Sequence, residues 1–196
     1  MELIIIWCVG LVSAYLLGSI PTAYLVVHYR KGSDIRKLGD GNSGAANVAR
    51  VMGAKTGIFV GIVDIFKGSI ILALAGWLLG SGIGMAGGII AIMGHSWPIY
   101  LLGRGGRGAA VGIGVLLALI PYLAFPIALI GIIILGVTRK TRLAIAFFFV
   151  TLPVLVFLVG NYSLVYLGYT LLIPVLVGIC HFISVKYTTK GLAGAI

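Results

Sequence analysis

Three histidines and two short glycine-rich basic segments carry most of the chemical potential of this chain. The histidines are His28, His95 and His181, and the segments are Gly39-Asp-Gly-Asn-Ser-Gly44 and Gly103-Arg-Gly-Gly-Arg-Gly108. Glycine lets backbone N–H groups approach an oxyanion closely, and arginine adds a planar charged fork that matches phosphate oxygens. Together they predict an anion site sized for phosphate. The first segment spells G-x-G-x-x-G but follows a basic loop instead of a strand, and the second lacks the spacing and final Lys-Ser/Thr of a Walker loop, so neither points to nucleotide chemistry. His28 reads as interfacial. Asp64 and Lys67 stand at i and i+3 within an apolar run, where ionisable groups are costly and usually paired, and they read as a structural ion pair.

The elements that position these groups follow from composition. Of 196 residues, 61% are hydrophobic, 9% are charged and 30 are glycine. So few charges cannot cover the outside of a water-soluble fold, which excludes a soluble enzyme. Cys8 and Cys180 lie in apolar runs without C-x-x-C or Cys/His spacing, which excludes a disulfide framework or zinc site; no metal or cofactor is expected. Net charge is +10, yet no nucleic-acid module accompanies it, so no nucleic acid partner is expected. The stretch at Glu2 reads as a span and not as a cleavable signal peptide, because it lacks a basic start and an A-x-A-like site.

A spanning helix needs about 20 apolar residues. Candidate spans are 3–27, 56–79, 83–102, 143–159 and 163–185, with a further apolar stretch at 108–137 that forms one oversized span or two short ones. The basic residues arbitrate. Arg30, Lys31, Arg36, Lys37, Arg50 and Lys55 precede the second span; Arg104 and Arg107, then Arg139, Lys140 and Arg142, then Lys186 and Lys190 form the other clusters. A double crossing that turns near Pro121 and Tyr122 puts every cluster on one face. The positive-inside rule then selects an all-α polytopic protein of seven helices, some short, with the N-terminus outside and the C-terminus cytoplasmic; six spans is the alternative. Glycines at 57, 61 and 68, and at 84, 87 and 88, suit close helix packing. One membrane domain covers 1–196.

The order of the motifs resembles the bacterial acyl-phosphate glycerol-3-phosphate acyltransferase (PlsY) family over nearly the whole chain. The resemblance runs from Gly18-Ser-Ile-Pro-Thr-Ala-Tyr24 through Asp34-Ile-Arg36, the 39–47 segment, Arg50, Asp64 and Lys67-Gly68. It continues through Gly94-His-Ser-Trp-Pro98 and Arg104-Gly-Gly-Arg-Gly108 to His181 and Gly191. It implies a plasma-membrane enzyme of the bacterial inner membrane, its site facing the cytoplasm, that moves a fatty acyl group from acyl phosphate to the 1-hydroxyl of glycerol 3-phosphate. His95, His181 and Asn47 are then the catalytic candidates. Asp40, Asn42, Gly44, Arg50, Arg104, Gly105, Gly106, Arg107 and Ser184 are the substrate-binding candidates. Membrane lipids are the expected surroundings and a monomer the expected state.

The chain also departs from the family. Asp40 stands where serine is usual, Ala46 where threonine is usual, Arg107 where lysine is usual, and Ser184 and Lys186 replace asparagines after the last histidine. An ionised Asp40 would repel a phosphate unless Arg36, Arg50 or Arg107 neutralises it. The alternatives are a homologue with altered substrates, or a membrane protein that binds or transports lipids or phosphate esters.

Overall fold

The computed structural model describes residues 1–185 in full and the helical backbone as far as 193; Lys186, Lys190 and Gly191 lie outside the fully described residues. Nine α-helices and no strand occur among the described residues. Helix α1 (Glu2–Ser19) passes into α2 (Thr22–Lys31) through a break at Ile20 and Pro21. Proline has no N–H to donate and pushes the residue before it towards extended backbone, and Ile20 has ψ 115°. The others are α3 (Ala45–Met52), α4 (Ala54–Leu79), α5 (Ser81–Ser96), α6 (Ala109–Leu119), α7 (Pro121–Thr138), α8 (Thr141–Val159) and α9 (Leu164–Ala193). Short 3₁₀ turns occupy Ile35–Lys37 and Ile99–Leu101.

Five stretches are long and apolar enough to cross a membrane: 2–31, α4, α7, α8 and 164–185. Large apolar side chains such as Trp77, Phe125 and Phe157 face outwards, as they must when the surrounding solvent is hydrocarbon. The protein is a multi-pass integral membrane protein. Helix bounds correct one of the expected spans and divide the 108–137 stretch where a turn is expected. The third expected span, helix α5, ends at Ser96 and not near 102, because Trp97 and Pro98 leave helical backbone and the chain turns into the second glycine loop. The 108–137 stretch breaks at Ile120, immediately before Pro121. The chain leaves Arg107 into α6 and is back within electrostatic range of it at Arg142, after α7.

Helix α6 lies at the centre. Its Val111, Val115 and Leu116 are fully buried with Phe148 and Leu152 of α8 and Ile173 of α9. Between lipid-embedded helices there is little hydrophobic driving force, so close backbone contact has to supply the cohesion. A Cβ at Gly68 would collide with the Val111 carbonyl, and one at Gly114 with the Ile65 carbonyl. Ser69 Oγ crosses the same seam and donates to the Gly114 carbonyl at 2.7 Å. A second, smaller cluster of Ala23, Val27, Ile35, Val48 and Val60 joins α2, the first 3₁₀ turn, α3 and α4. It forms the floor beneath the first glycine segment.

Candidate active site

The first glycine segment is held from below by Asn47. This side chain is completely buried. Its Nδ2 donates to the carbonyls of Leu38 at 2.9 Å and Asn42 at 3.0 Å, and its Oδ1 accepts from the Asp40 N–H at 3.0 Å. Gly39 has φ +60°, and a Cβ there would run into Asn47 Oδ1, so both backbone and packing require glycine. The loop then passes Asn42 and Ser43, both buried, and enters α3 at Gly44, where a Cβ would crowd the Asn42 amide. Arg50 lies on the last turn of α3.

The second glycine segment is captured by the end of α5. Gly106 N–H donates to the His95 carbonyl and Gly105 N–H to the Ser96 carbonyl, each at 3.1 Å. A Cβ at Gly105 would strike the His95 carbonyl and Pro98, and one at Gly106 would strike His95 Nε2. These two amides, expected to approach an oxyanion, are therefore engaged by unpaired carbonyls at the helix end. The glycines serve close packing that aims the next residue, Arg107. Gly108, with φ +77°, then starts α6.

The two loops meet at Asp40. Its Oδ2 is 2.5 Å from an Arg50 guanidinium nitrogen and 3.5 Å from one of Arg107, and its Oδ1 accepts from the Asn42 N–H at 3.2 Å. Arg36, the third candidate to neutralise Asp40, is committed elsewhere. It forms a bidentate pair with Asp34, at 2.7 Å for its closest contact, and donates to the Leu101 carbonyl at 3.0 Å, tying the first loop to the second. That pairing holds the Asp34 carboxyl below its usual range and the Arg36 guanidinium above its own.

Burial draws the Arg107 guanidinium down from its usual value, the Asp40 charge opposes this, and Arg142 and Arg50 add to the lowering. His181, half-buried on α9, lies in the field of Arg107, Arg142 and Asp40. Ser184 follows one turn later, also half-buried. Two buried polar atoms here lack a hydrogen-bond partner: Arg107 Nε, a donor, and Asn42 Oδ1, an acceptor. Arg104 is exposed. On sequence Arg142 reads as a topology charge alone. Only the return of the chain after α7 brings it to this cluster.

Beneath the second loop lies a closed polar group. Asp64 Oδ1 accepts from Thr22 Oγ1 at 2.9 Å and from Lys67 Nζ at 3.0 Å, and faces His95 Nδ1 at 3.7 Å. Lys67 Nζ also donates to the Ile20 carbonyl at 2.7 Å, freed by the break before Pro21. The expected Asp64–Lys67 pair is thus present, and it additionally joins α1, α2 and α5. His28 is exposed and stacks on Tyr24 with ring centroids 5.5 Å apart. No group of His, Cys, Asp and Glu capable of holding a metal occurs among the described residues.

Comparison with known proteins places this arrangement among relatives. A family profile described as glycerol-3-phosphate acyltransferase matches residues 8–191. A glycerol-3-phosphate acyltransferase of Dehalococcoides mccartyi is 44% identical over 129 residues, a match covering 65% of this chain and 55% of that protein. One of Prochlorococcus marinus is 37% identical over 180 residues, covering 91% of each. The crystal structure of PlsY, an integral membrane glycerol 3-phosphate acyltransferase, in its glycerol 3-phosphate form superposes with a TM-score of 0.79. The identity is 30%, over 94% of this chain and 92% of that one. A lysophosphatidic acid form of the same enzyme gives 0.77 at 28% identity.

Proposed function

Because this chain belongs to the glycerol-3-phosphate acyltransferase family, we propose that it transfers a fatty acyl group from acyl phosphate to the 1-hydroxyl of glycerol 3-phosphate. The products are lysophosphatidate and inorganic phosphate. The observation that carries this reading is the convergence of Arg50, from the end of α3, and Arg107, from the second glycine segment, on Asp40 within the electrostatic field of His181, with the unpartnered Arg107 Nε and Asn42 Oδ1. A buried donor on a cation calls for an anion, and a buried acceptor calls for a hydroxyl.

Acyl phosphate is already an activated mixed anhydride, so no protein nucleophile is needed. The acceptor hydroxyl attacks the carbonyl carbon, the bond to the phosphate oxygen breaks, and the hydroxyl proton passes to His181 or to the departing phosphate. Arg50, Arg107 and Arg104 bind phosphate, and holding the reactants together while neutralising the leaving group supplies the catalysis. Asn42, Gly44 and Ser184 line the acceptor side. Asn47, with its amide fully engaged by the first loop, acts by positioning that loop, and His95, Gly105 and Gly106 by positioning the second. The test is turnover of purified protein with acyl phosphate and labelled glycerol 3-phosphate beside an acyl-CoA control. Lysophosphatidate from acyl phosphate is the expected result, and a folded sample giving no product from either donor overturns the reading.

The chain works as one domain over 1–196, as a monomer of seven spans in the bacterial inner membrane, with the N-terminus outside and the site facing the cytoplasm. The gathering of Arg36, Arg50, Arg107 and Arg142 around one end of the helices supports the double crossing by α6 and α7. Single-cysteine labelling checks it: positions near Arg36, Arg107 and Arg139 label from the cytoplasmic side and Tyr122 from outside. Labelling of 139–142 from outside overturns the double crossing.

A further inference from the structure

Asp40 is the acidic group that Arg50 and Arg107 share, and its carboxylate is aimed at them by its own loop. The Asn42 N–H holds Oδ1 at 3.2 Å, while Oδ2 is shared between Arg50 and Arg107. We propose that this carboxylate is a built-in occupant of the phosphate site, a specificity-determining group that an incoming phosphate must displace from Arg50 and Arg107. The inference rests on the reading of that cluster as the acceptor site.

Three observations separate this role from that of a structural strut. The loop keeps its shape through Asn47, which binds the backbone of Leu38, Asp40 and Asn42 and would do so whatever side chain stood at position 40. The Asp40–Arg50 pair is half-open to solvent, with side chains 33% and 53% exposed, and pairs of that kind contribute little to stability. Arg107 is only partly satisfied: its contact with Asp40 is long and its Nε has no partner. An acceptor with more oxygens than one carboxylate therefore completes its coordination, and Arg50, being exposed, is free to follow. In the structure the carboxylate holds the two cations at one point. What it does on binding is oppose the dianion that replaces it. Serine, the residue usual in the family at this position, would offer a hydroxyl without that opposition.

The experiment uses the full chain in detergent and measures equilibrium binding of inorganic phosphate together with the thermal midpoint. Asp40→Ser and Asp40→Asn are expected to bind phosphate roughly three- to tenfold more tightly than the parent, the range set by one exchanged, partly exposed charge, with the midpoint unchanged. Arg107→Ala is measured alongside to identify the site. Unchanged or weaker binding in both Asp40 variants, with binding still lost in Arg107→Ala, overturns the proposal and leaves the anion site standing. A fall in both affinity and midpoint also overturns it, because the carboxylate is then a strut. If neither the parent nor either Asp40 variant binds phosphate, both the proposal and the anion-site reading fail.

Discussion

Asp64→Asn is expected to lower the thermal midpoint of the detergent-solubilised protein severely. The substitution leaves the Lys67 ammonium buried with only the Ile20 carbonyl and Thr22 hydroxyl as partners, and breaking one side of a buried pair costs about 3–5 kcal/mol. Folded proteins typically hold only about 5–15 kcal/mol in reserve. The loss would also be felt at the site, since the same carboxylate faces His95 and His95 carries the second glycine loop. Removing both charges tests the cause. Asp64→Asn combined with Lys67→Met abolishes the stranded ammonium, so the double variant should be more stable than Asp64→Asn alone. If the two losses simply add, the ion pair is not what makes Asp64 important.

Arg107→Ala is expected to raise the KM for glycerol 3-phosphate about ten- to hundredfold, the equivalent of losing one charge-assisted contact of roughly 1.5–3 kcal/mol. Arg139→Ala should leave acceptor use nearly unchanged. Both are arginines at the ends of apolar helices, but Arg139 is exposed at the end of α7. Arg107 instead is aimed by two glycines packed on the end of α5 and has an unpartnered buried Nε. Arg107→Lys should keep part of the affinity, because it keeps the charge while losing the planar fork. Equal, small effects at both positions would mean that these arginines serve topology alone.

Class and membrane character were legible in the linear chain because they depend on local composition. A 61% hydrophobic chain with 9% charge has no route to a soluble fold, and Pro121 marks the expected turn within the 108–137 stretch, whereas the breaks at Pro21 and Pro98 fall inside apolar stretches that read as continuous spans. The pairing of Asp64 with Lys67 was legible too, since i and i+3 share a helix face. The partners of Asp40 were not. Arg36, Arg50 and Arg107 were equivalent on sequence, and the choice was made by long-range geometry: the Asp34 pair withdraws Arg36, while the turn of α3 and the capture of the second loop by α5 deliver the other two. The same holds for the glycines at 105 and 106. Their smallness was plain, but a sequence does not say whether a missing side chain makes room for a ligand or for a neighbouring helix end. Tertiary packing decided for the helix end, because the carbonyls of His95 and Ser96, left unpaired where α5 stops, take the first N–H groups brought within reach. Arg142 joined the cluster for a related reason, because the return of α6 and α7 converts a separation of 35 residues into electrostatic contact.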